Sequence, residues 1–495
     1  MKKFLAALLA VMLVFSLCVT ATAAPADVSG NSFTAYQIFK GTQGTGAELA
    51  NIDWGTGIDS ANFLTALKSS TAFGETNPFT SCNTANDVAN VIKAWSDNSD
   101  QANAFAKLAY QYKAGDGKAV TSSTTLDAGY YLIADTTTFA GGSTGTVRNL
   151  ALLQLTNKGD LDITSKVDIP VVQKKVKDVN DSVANSTTDW QDSADYDIGD
   201  AVPFQLKASL GKIADYDVYK VVFHDTQSNG LNYPTNFVVK IQNTTGNAIT
   251  LTDSQYSVAE TTAGFDVTIT DVIALGAKDN AVITVEYTAV LNSGAALGAA
   301  GNPNEVYLEY SNNPNWTGTG TTEETGKTPS DKVIVFTYQV QVNKKDQQGQ
   351  ALAGAGFTLY KLDSSTGNYE KVSDELTGSA MEQFVWKGVD DGDYKLVEST
   401  VPAGYNKMDD LLFTITAEHD TTSDNPALTS LNGGNLATGD FTATGTIAGD
   451  VTNFKGSTLP ETGGIGTTIF YAVGAVLVVG AFILLVTKKR MSAEK

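Results

Sequence analysis

The chain has 495 residues, 42% apolar and 18% charged, so it is long enough for about three domains and apolar enough to fold. Its 54 acidic against 33 basic residues, a formal charge of −21, exclude the basic stripes on which nucleic-acid binding depends. Two histidines and two cysteines leave little for a zinc site, Cys/His catalysis or a disulfide framework. The 45 glycines, among many Thr, Asn, Ser and Asp, point to strands and turns.

Lys2 and Lys3 precede an uncharged apolar run from Phe4 to Val19 and then Ala21-Thr22-Ala23. That order of basic, apolar and small residues predicts a secretory signal peptide over 1–24, cleaved after Ala23 or Ala24. Cys18 falls within it, so Cys82 is left alone and no disulfide can close within the exported chain. Residues 25–168 read as an α+β domain. Helical spacing runs through 60–70 and 85–113, where Val88, Val91, Ile92 and Trp95 are followed by Phe105, Leu108, Ala109 and Tyr112. Residues 36–39 and 130–133 read as strands, and no catalytic constellation is visible.

From 169 to 328 the pattern turns all-β, with short alternating runs at 218–223, 237–241, 282–290 and 306–310 between Asn, Gly and Asp turns. Such spacing favours a β-sandwich. Three polar types take turns among its inward apolar residues: Lys174 with Val172 and Val176, Asp225 with Val221 and Phe223, and Asn304 and Asn312 with Val306, Leu308 and Tyr310. Asp178, Asn180, Asp181, Asp189, Asp192, Asp195, Asp197 and Asp200 form an acidic run. It lacks EF-hand spacing and reads as a solvated loop rather than a calcium site. Residues 317–331, rich in Thr, Gly, Glu and Pro, read as a linker.

A second strand-rich unit occupies 329–456. Lys344 shares an alternating face with Val340 and Val342, Glu398 with Tyr394 and Leu396, and Asn453 with Val451. Burying an ammonium is costly. Desolvation lowers the pKa of an amine and raises that of a carboxyl. The neutral amine is then a nucleophile, and the protonated acid can polarise a carboxamide. Attack on the asparagine expels ammonia and leaves a Lys–Asn isopeptide cross-link. With Tyr394-Lys395-Leu396-Val397-Glu398 and Pro402-Ala403-Gly404-Tyr405, the unit resembles the B-type domains of collagen-adhesin-like surface proteins, which form this bond. The resemblance implies Lys344 as nucleophile, Glu398 as acid and Asn453 as acceptor. Residues 169–328 resemble the A-type isopeptide domain of pilus shaft subunits. There the implied roles fall to Lys174, Asp225 and Asn304, with Asn312 the second choice of acceptor.

The end, 457–495, reads Leu459-Pro460-Glu461-Thr462-Gly463, then an uncharged stretch through Val486, then Lys488-Lys489-Arg490. The stretch is long enough to span a bilayer, with its basic end cytoplasmic. LPxTG directly before it resembles the cell-wall sorting signal of Gram-positive bacteria. This implies cleavage between Thr462 and Gly463 by a sortase, whose thioester at Thr462 an amine resolves. Removing both ends takes away a net +5 and leaves −26. The whole order resembles the major (backbone) pilin of sortase-assembled pili. The fold expected is mainly β: tandem immunoglobulin-like β-sandwiches after an α+β domain, with a signal peptide and a C-terminal transmembrane helix. The function expected is a structural pilus subunit, not an enzyme, joined head to tail through Thr462 to a lysine of the next subunit.

No Tyr-Pro-Lys pilin motif precedes the second domain. Lys166, in Ile163-Thr164-Ser165-Lys166-Val167-Asp168, is the expected linking lysine and Lys158 the alternative. Expected partners are sortase, identical subunits, ancillary pilins, peptidoglycan and a host or surface ligand. No metal, cofactor or nucleic acid is expected. The alternative function is a monomeric wall-anchored adhesin or minor pilin. A wall-anchored hydrolase is disfavoured, because His224 and His419 are the only histidines and no G-x-S-x-G elbow is present.

Overall fold

The computed structural model describes residues 32–45, 48–96, 99–121, 124–137, 150–155, 159–160, 169–314, 325–456 and 465–491. The signal-peptide segment, Lys158, Lys166 and Leu459 to Gly463 lie outside these.

In the first unit the central strand Phe33–Gln43 pairs with Leu49–Trp54 on one side and Gly129–Asp135 on the other, and Leu150–Leu155 extends the sheet. Helices Ser60–Ser69, Ala85–Ile92 and Asp100–Gln111 cover it through a core that includes Phe39, Phe63, Phe79, Val88 and Phe105. The single helical stretch expected over 85–113 is two helices. The polar run around Ser96 and Ser99 has no apolar face to bury, and Ser99 caps the second helix by accepting from the Ala102 amide at 3.3 Å. Cys82 is a free thiol packed in this core.

The second unit is a sandwich of two layers, antiparallel throughout except where Ser193–Asp195 pairs in parallel with Asp331–Phe336. One runs Ile249–Thr250, Phe237–Gln242, Val282–Val290, Ala201–Ser209 and Val171–Val176 in spatial order. The other runs Ser257–Thr261, Gly264–Ile269, Val221–Gln227, Asn302–Ser311, Asp331–Phe336 and Ser193–Asp195. Period-2 alternation puts Val202, Phe204, Leu206 and Ala208 of the first layer opposite Val221, Phe223, Val306 and Leu308 of the second. The stretch read as a linker contributes here: Thr325–Lys327 and Asp331–Phe336 both pair with Asn302–Ser311. Val333 and Val335 enter this core, whereas Phe336 enters the next one. The sheet thus continues eight residues past the 328/329 boundary read from composition, which cannot show that Val333 and Val335 face an older layer.

The third unit sets a three-stranded layer against a larger one. In the first, Tyr338–Asp346 lies between Gln383–Val389 and Thr446–Asn453, so the first and last strands are parallel neighbours. The facing layer runs Asn368–Lys371, Gly356–Asp363, Gly392–Thr400, Leu411–His419 and Leu428–Asn432. Beyond it, Ile465–Met491 is a single helix whose apolar portion, Ile469–Lys489, is long enough to cross a membrane.

The two sandwiches meet along the acidic run, which is not a solvated loop. Asp192 and Asp195 are buried. The Asp192 amide donates to the Thr421 carbonyl at 3.0 Å and that of Ile198 to the Gly388 carbonyl at 3.0 Å. Gly388 has φ +75°, and a Cβ there would meet Ile198 Cδ1 at 2.3 Å. Two cations from the third unit enter the run. Lys361 pairs with Asp181 at 3.0 Å, with Asp197 at 2.8 Å and with buried Asp390. His419 lies 3.5 Å from Asp178, 3.8 Å from Asp195 and 2.7 Å from Ser193 Oγ. Among the described residues two groupings are tight enough to share an ion, Asp178 and Asp195 with His419, and Asp181, Asp197, Asp200 and Asp390, the second of which Lys361 enters. The first unit touches the second more lightly, by Asn103 to Asp215 and Lys107 to Asp217, each at 3.0 Å. Exposed pairs of that kind contribute little.

Burial opposes a charge on His419, but the carboxylates of Asp178 and Asp195 beside it outweigh burial and hold the pKa up at about 10. A group raised this way stabilises the joint fully below its unfolded pKa of about 6.5, and that part is lost as pH climbs through about 10. Asp391, raised to about 7 by burial and by Asp195 and Asp178, adds to the same trend from about pH 4 to 7. Hydrogen-exchange protection of the Tyr196 and Ile198 amides should thus fall, beyond the intrinsic exchange trend, as pH rises from about 6.5 to 10. His419→Gln should weaken protection at neutral pH and flatten this alkaline trend, and Lys361→Met should lower protection at every pH.

Candidate functional site

Each sandwich buries one lysine inside its core, and the two sites differ in construction. In the third unit, alternation along Tyr338–Asp346 turns Lys344 inward, 1% exposed. Its ammonium nitrogen donates to Asn453 Oδ1 at 2.7 Å and to the Val451 carbonyl at 3.3 Å. Asn453 Nδ2 in turn donates to Glu398 Oε1 at 2.7 Å, from the facing layer, and the Met408 amide donates to Glu398 Oε2 at 2.8 Å. Lys344 and Asn453 sit on adjacent parallel strands, where Lys344 pairs with Val451 and Asp346 with Asn453. Burial pushes the Lys344 amine down to about 8 against the pull of Glu398, so about one amine in ten is neutral at pH 7 and the share grows above it. All three residues read from sequence meet here.

In the second unit the site crosses between layers. Lys174, fully buried on the edge strand Val171–Val176, makes a short contact with Asp225 on Val221–Gln227 of the other layer. Its own amide is held by Asp331 Oδ2 at 2.7 Å. Burial lowers the amine and raises the carboxyl, so the pair favours a neutral amine beside a carboxylic acid. Asn304, 0% exposed, lies on the strand next to Asp225, where Asp225 pairs with Val306 and Gln227 with Asn304.

Between them stands Tyr287, which sequence reading did not single out. Its hydroxyl accepts from Lys174 Nζ at 3.0 Å and from Asn304 Nδ2 at 2.9 Å, and donates to Asp225 Oδ2 at 3.0 Å. Asp225 Oδ1 and Asn304 Oδ1 are buried without a hydrogen-bond partner among the described residues. Asn312 is also buried, but it lies eight residues further along. At about 3.3 Å per residue that is roughly 26 Å from Asn304, at the other end of the strand. The geometry therefore brings Lys174, Asp225 and Asn304 together and leaves Asn312 out. The signal for Tyr287 was its place among inward Ile283, Val285 and Ala289, where a tyrosine reads as ordinary core.

Residues 198–314 match a family model described as Gram-positive pilin backbone subunit 2, Cna-B-like domain. Residues 338–426 match the SpaA prealbumin-like fold domain, and 453–492 the LPXTG cell wall anchor motif. Three separate stretches of the chain thus match modules described from Gram-positive pilins and wall-anchored proteins. The second sandwich, likened above to an A-type domain, is thus matched by a model whose description is Cna-B-like. A trypsin-resistant surface T6 protein of Streptococcus pyogenes serotype M6 is 25% identical over 393 residues, 66% of this chain and 70% of that one. The solved T6 backbone pilin of the same serotype, described as a modular three-domain structure, covers 88% of this chain and 98% of its own at 19% identity and a TM-score of 0.50. That is a likeness of fold. The group B streptococcus pilus 2b backbone protein is 25% identical, covering 54% of this chain and 97% of that one at a TM-score of 0.39. With the anchor motif and the apolar helix behind it, the chain is a surface protein anchored to the cell wall.

Proposed function

We propose that the chain is the shaft subunit of a covalently polymerised pilus and that each sandwich cross-links itself once by an isopeptide bond. The observation that carries this is the pair of buried Lys–acid–Asn sites upstream of an LPETG motif. In the third sandwich neutral Lys344 Nζ attacks Asn453 Cγ, the Cγ–Nδ2 bond breaks, and the nitrogen departs as ammonia. Glu398, bonded to Nδ2, is placed to move the proton from the attacking to the leaving nitrogen. In the second sandwich Lys174, Asn304 and Asp225 take the same roles. A proton on Asp225 Oδ1 directed at Asn304 Oδ1 would satisfy both orphaned oxygens and polarise the carboxamide. The reaction needs no cofactor and runs once per bond, so no external substrate is turned over. On a chain-entropy account, closing a loop of roughly 100 residues stabilises by about 4.7 kcal/mol.

Polymerisation uses the other end. Sortase forms a thioester at Thr462 and releases Gly463 with the membrane helix, and a lysine amine of the next subunit resolves it. Lys166, next to the start of the second sandwich, is the proposed acceptor, with Lys158 the alternative. Joining unlike surfaces head to tail gives an open filament rather than a closed ring.

Intact mass of residues 25–456 should fall short of the sequence mass by two ammonias, ~34 Da. Asn453→Ala and Asn304→Ala should each restore one ammonia, while Asn312→Ala should restore none. A full unmodified mass would sink both cross-links, and a deficit of one that Asn304→Ala leaves unchanged would reduce the second sandwich to an ordinary core.

In wall extracts, Lys166→Ala should abolish the high-mass ladder of polymerised subunits while leaving the monomer on the surface. An unchanged ladder would reject Lys166 as the acceptor.

A further inference from the structure

The two sites solve one problem with different parts. In the third sandwich the acid reaches the carboxamide directly, Glu398 Oε1 lying 2.7 Å from Asn453 Nδ2. In the second the acid is an aspartate, one methylene shorter, and its place on the asparagine nitrogen is taken by the Tyr287 hydroxyl at 2.9 Å, with Asp225 behind it at 3.0 Å. The same hydroxyl is 3.0 Å from Lys174 Nζ. One oxygen atom therefore touches the nitrogen that must lose a proton, the nitrogen that must gain one, and the acid. We propose that Tyr287 is a catalytic residue of the second cross-link, relaying the proton from Lys174 to the departing nitrogen of Asn304. This rests on the cross-linking function proposed above.

The steps balance. As Nζ bonds to Cγ, Nδ2 becomes a tetrahedral amine with a free lone pair. Tyr287 gives it the hydroxyl proton and takes one from Nζ, the Cγ–Nδ2 bond breaks, and ammonia leaves with the phenol regenerated. Burial and neighbouring Asp225 hold the phenol well above its usual range, so it stays protonated as a relay requires. The ring is fixed in place. It stacks on Phe204 at 5.3 Å and meets Phe265 edge-on at 5.0 Å, and its strand is paired on both sides. A tyrosine that served only to fill space would have no reason to hold its oxygen among three polar groups inside an apolar core.

The third sandwich is an internal control within the same molecule. In the full-length chain purified in mild detergent, Tyr287→Phe removes one oxygen and keeps the ring. The wild-type chain should lack two ammonias. Y287F should lack one, with peptide mapping finding Lys344 joined to Asn453 but Lys174 and Asn304 free, and with near-UV dichroism still native. Any residual second bond should form about 100-fold more slowly or worse, the usual scale of a lost proton transfer. Two ammonias missing from Y287F on the wild-type time course would overturn the relay. Fewer than two missing from the wild-type chain would instead overturn the underlying cross-linking function.

A measurement that does not rely on the folding of Y287F uses cell-free synthesis with 3-fluorotyrosine, which changes the acidity of the phenol but hardly its shape. The second bond should then form at an altered rate relative to the third-sandwich bond, and an unchanged ratio would also overturn the relay.

Discussion

The structure depends on burying an ammonium twice. Lys174 and Lys344 each occupy a core position where a valine would cost nothing, and apart from its acid and asparagine partners each is set among mainly apolar side chains. A charged lysine there would be held against a desolvation penalty of several kcal/mol. Burial shifts both amines toward the uncharged form, and an uncharged amine beside a carboxamide is a reagent. Alternation along the strands turns both lysines inward, and an acid from a strand of the facing layer completes each site. Lys361 is the contrasting case. It is nearly as buried, but three carboxylates surround it and raise its pKa, so it remains a cation and acts as a fastener between sandwiches.

Much of this was legible in the chain, because period-2 alternation assigns each strand residue to a face without knowledge of its neighbours. Lys344, Glu398 and Asn453 stood out as polar residues on inward faces, and the structure joins them by hydrogen bonds. Asn304 and Asn312 satisfied the same pattern equally well, and distance along the strand separates them. Tyr287 was hidden because an inward tyrosine is unremarkable until the partners of its hydroxyl are known. The joint was hidden for a related reason. The acidic run looks solvated because its cations, Lys361 and His419, lie 164 and 226 residues from the Asp197 and Ser193 that they bond. Around 317–331, Thr- and Gly-rich composition likewise describes a turn but not the sheet that Thr325–Lys327 and Asp331–Phe336 join.

The two cross-links also differ in how they would carry load. In the third sandwich the first and last strands are parallel neighbours, and Asn453 lies where the chain leaves toward the sorting motif. Tension from Thr462 would enter at Asn453, cross to Lys344 and pass back along 338–344 into the second sandwich. Residues 345–452 would then hang off the load path. In the second sandwich a bond from Lys174 to Asn304 removes 175–303 in the same way. Were Lys166 the acceptor, the first unit would be bypassed too.

Between the two proposed bonds the chain from Asn304 to Lys344 would stay under tension, and its part from Asn304 to Phe336 is the place to look for compliance. Asn302–Ser311 and Asp331–Phe336 are antiparallel partners, with Asn304 opposite Val333. Force applied at Asn304 and drawn out past Phe336 would open that pairing from its end, one pair at a time, the geometry in which antiparallel strands resist least. Three features oppose it. Ser193–Asp195 pairs in parallel on the outer side of Asp331–Phe336, the Lys174 amide is held by Asp331, and the ribbon that follows Ser193–Asp195 is pinned to the third sandwich by Lys361 and His419. The charged joint thus braces a segment that the proposed covalent bonds would leave exposed to force. This gives a mechanical reason for the acidic residues that their sequence alone did not supply.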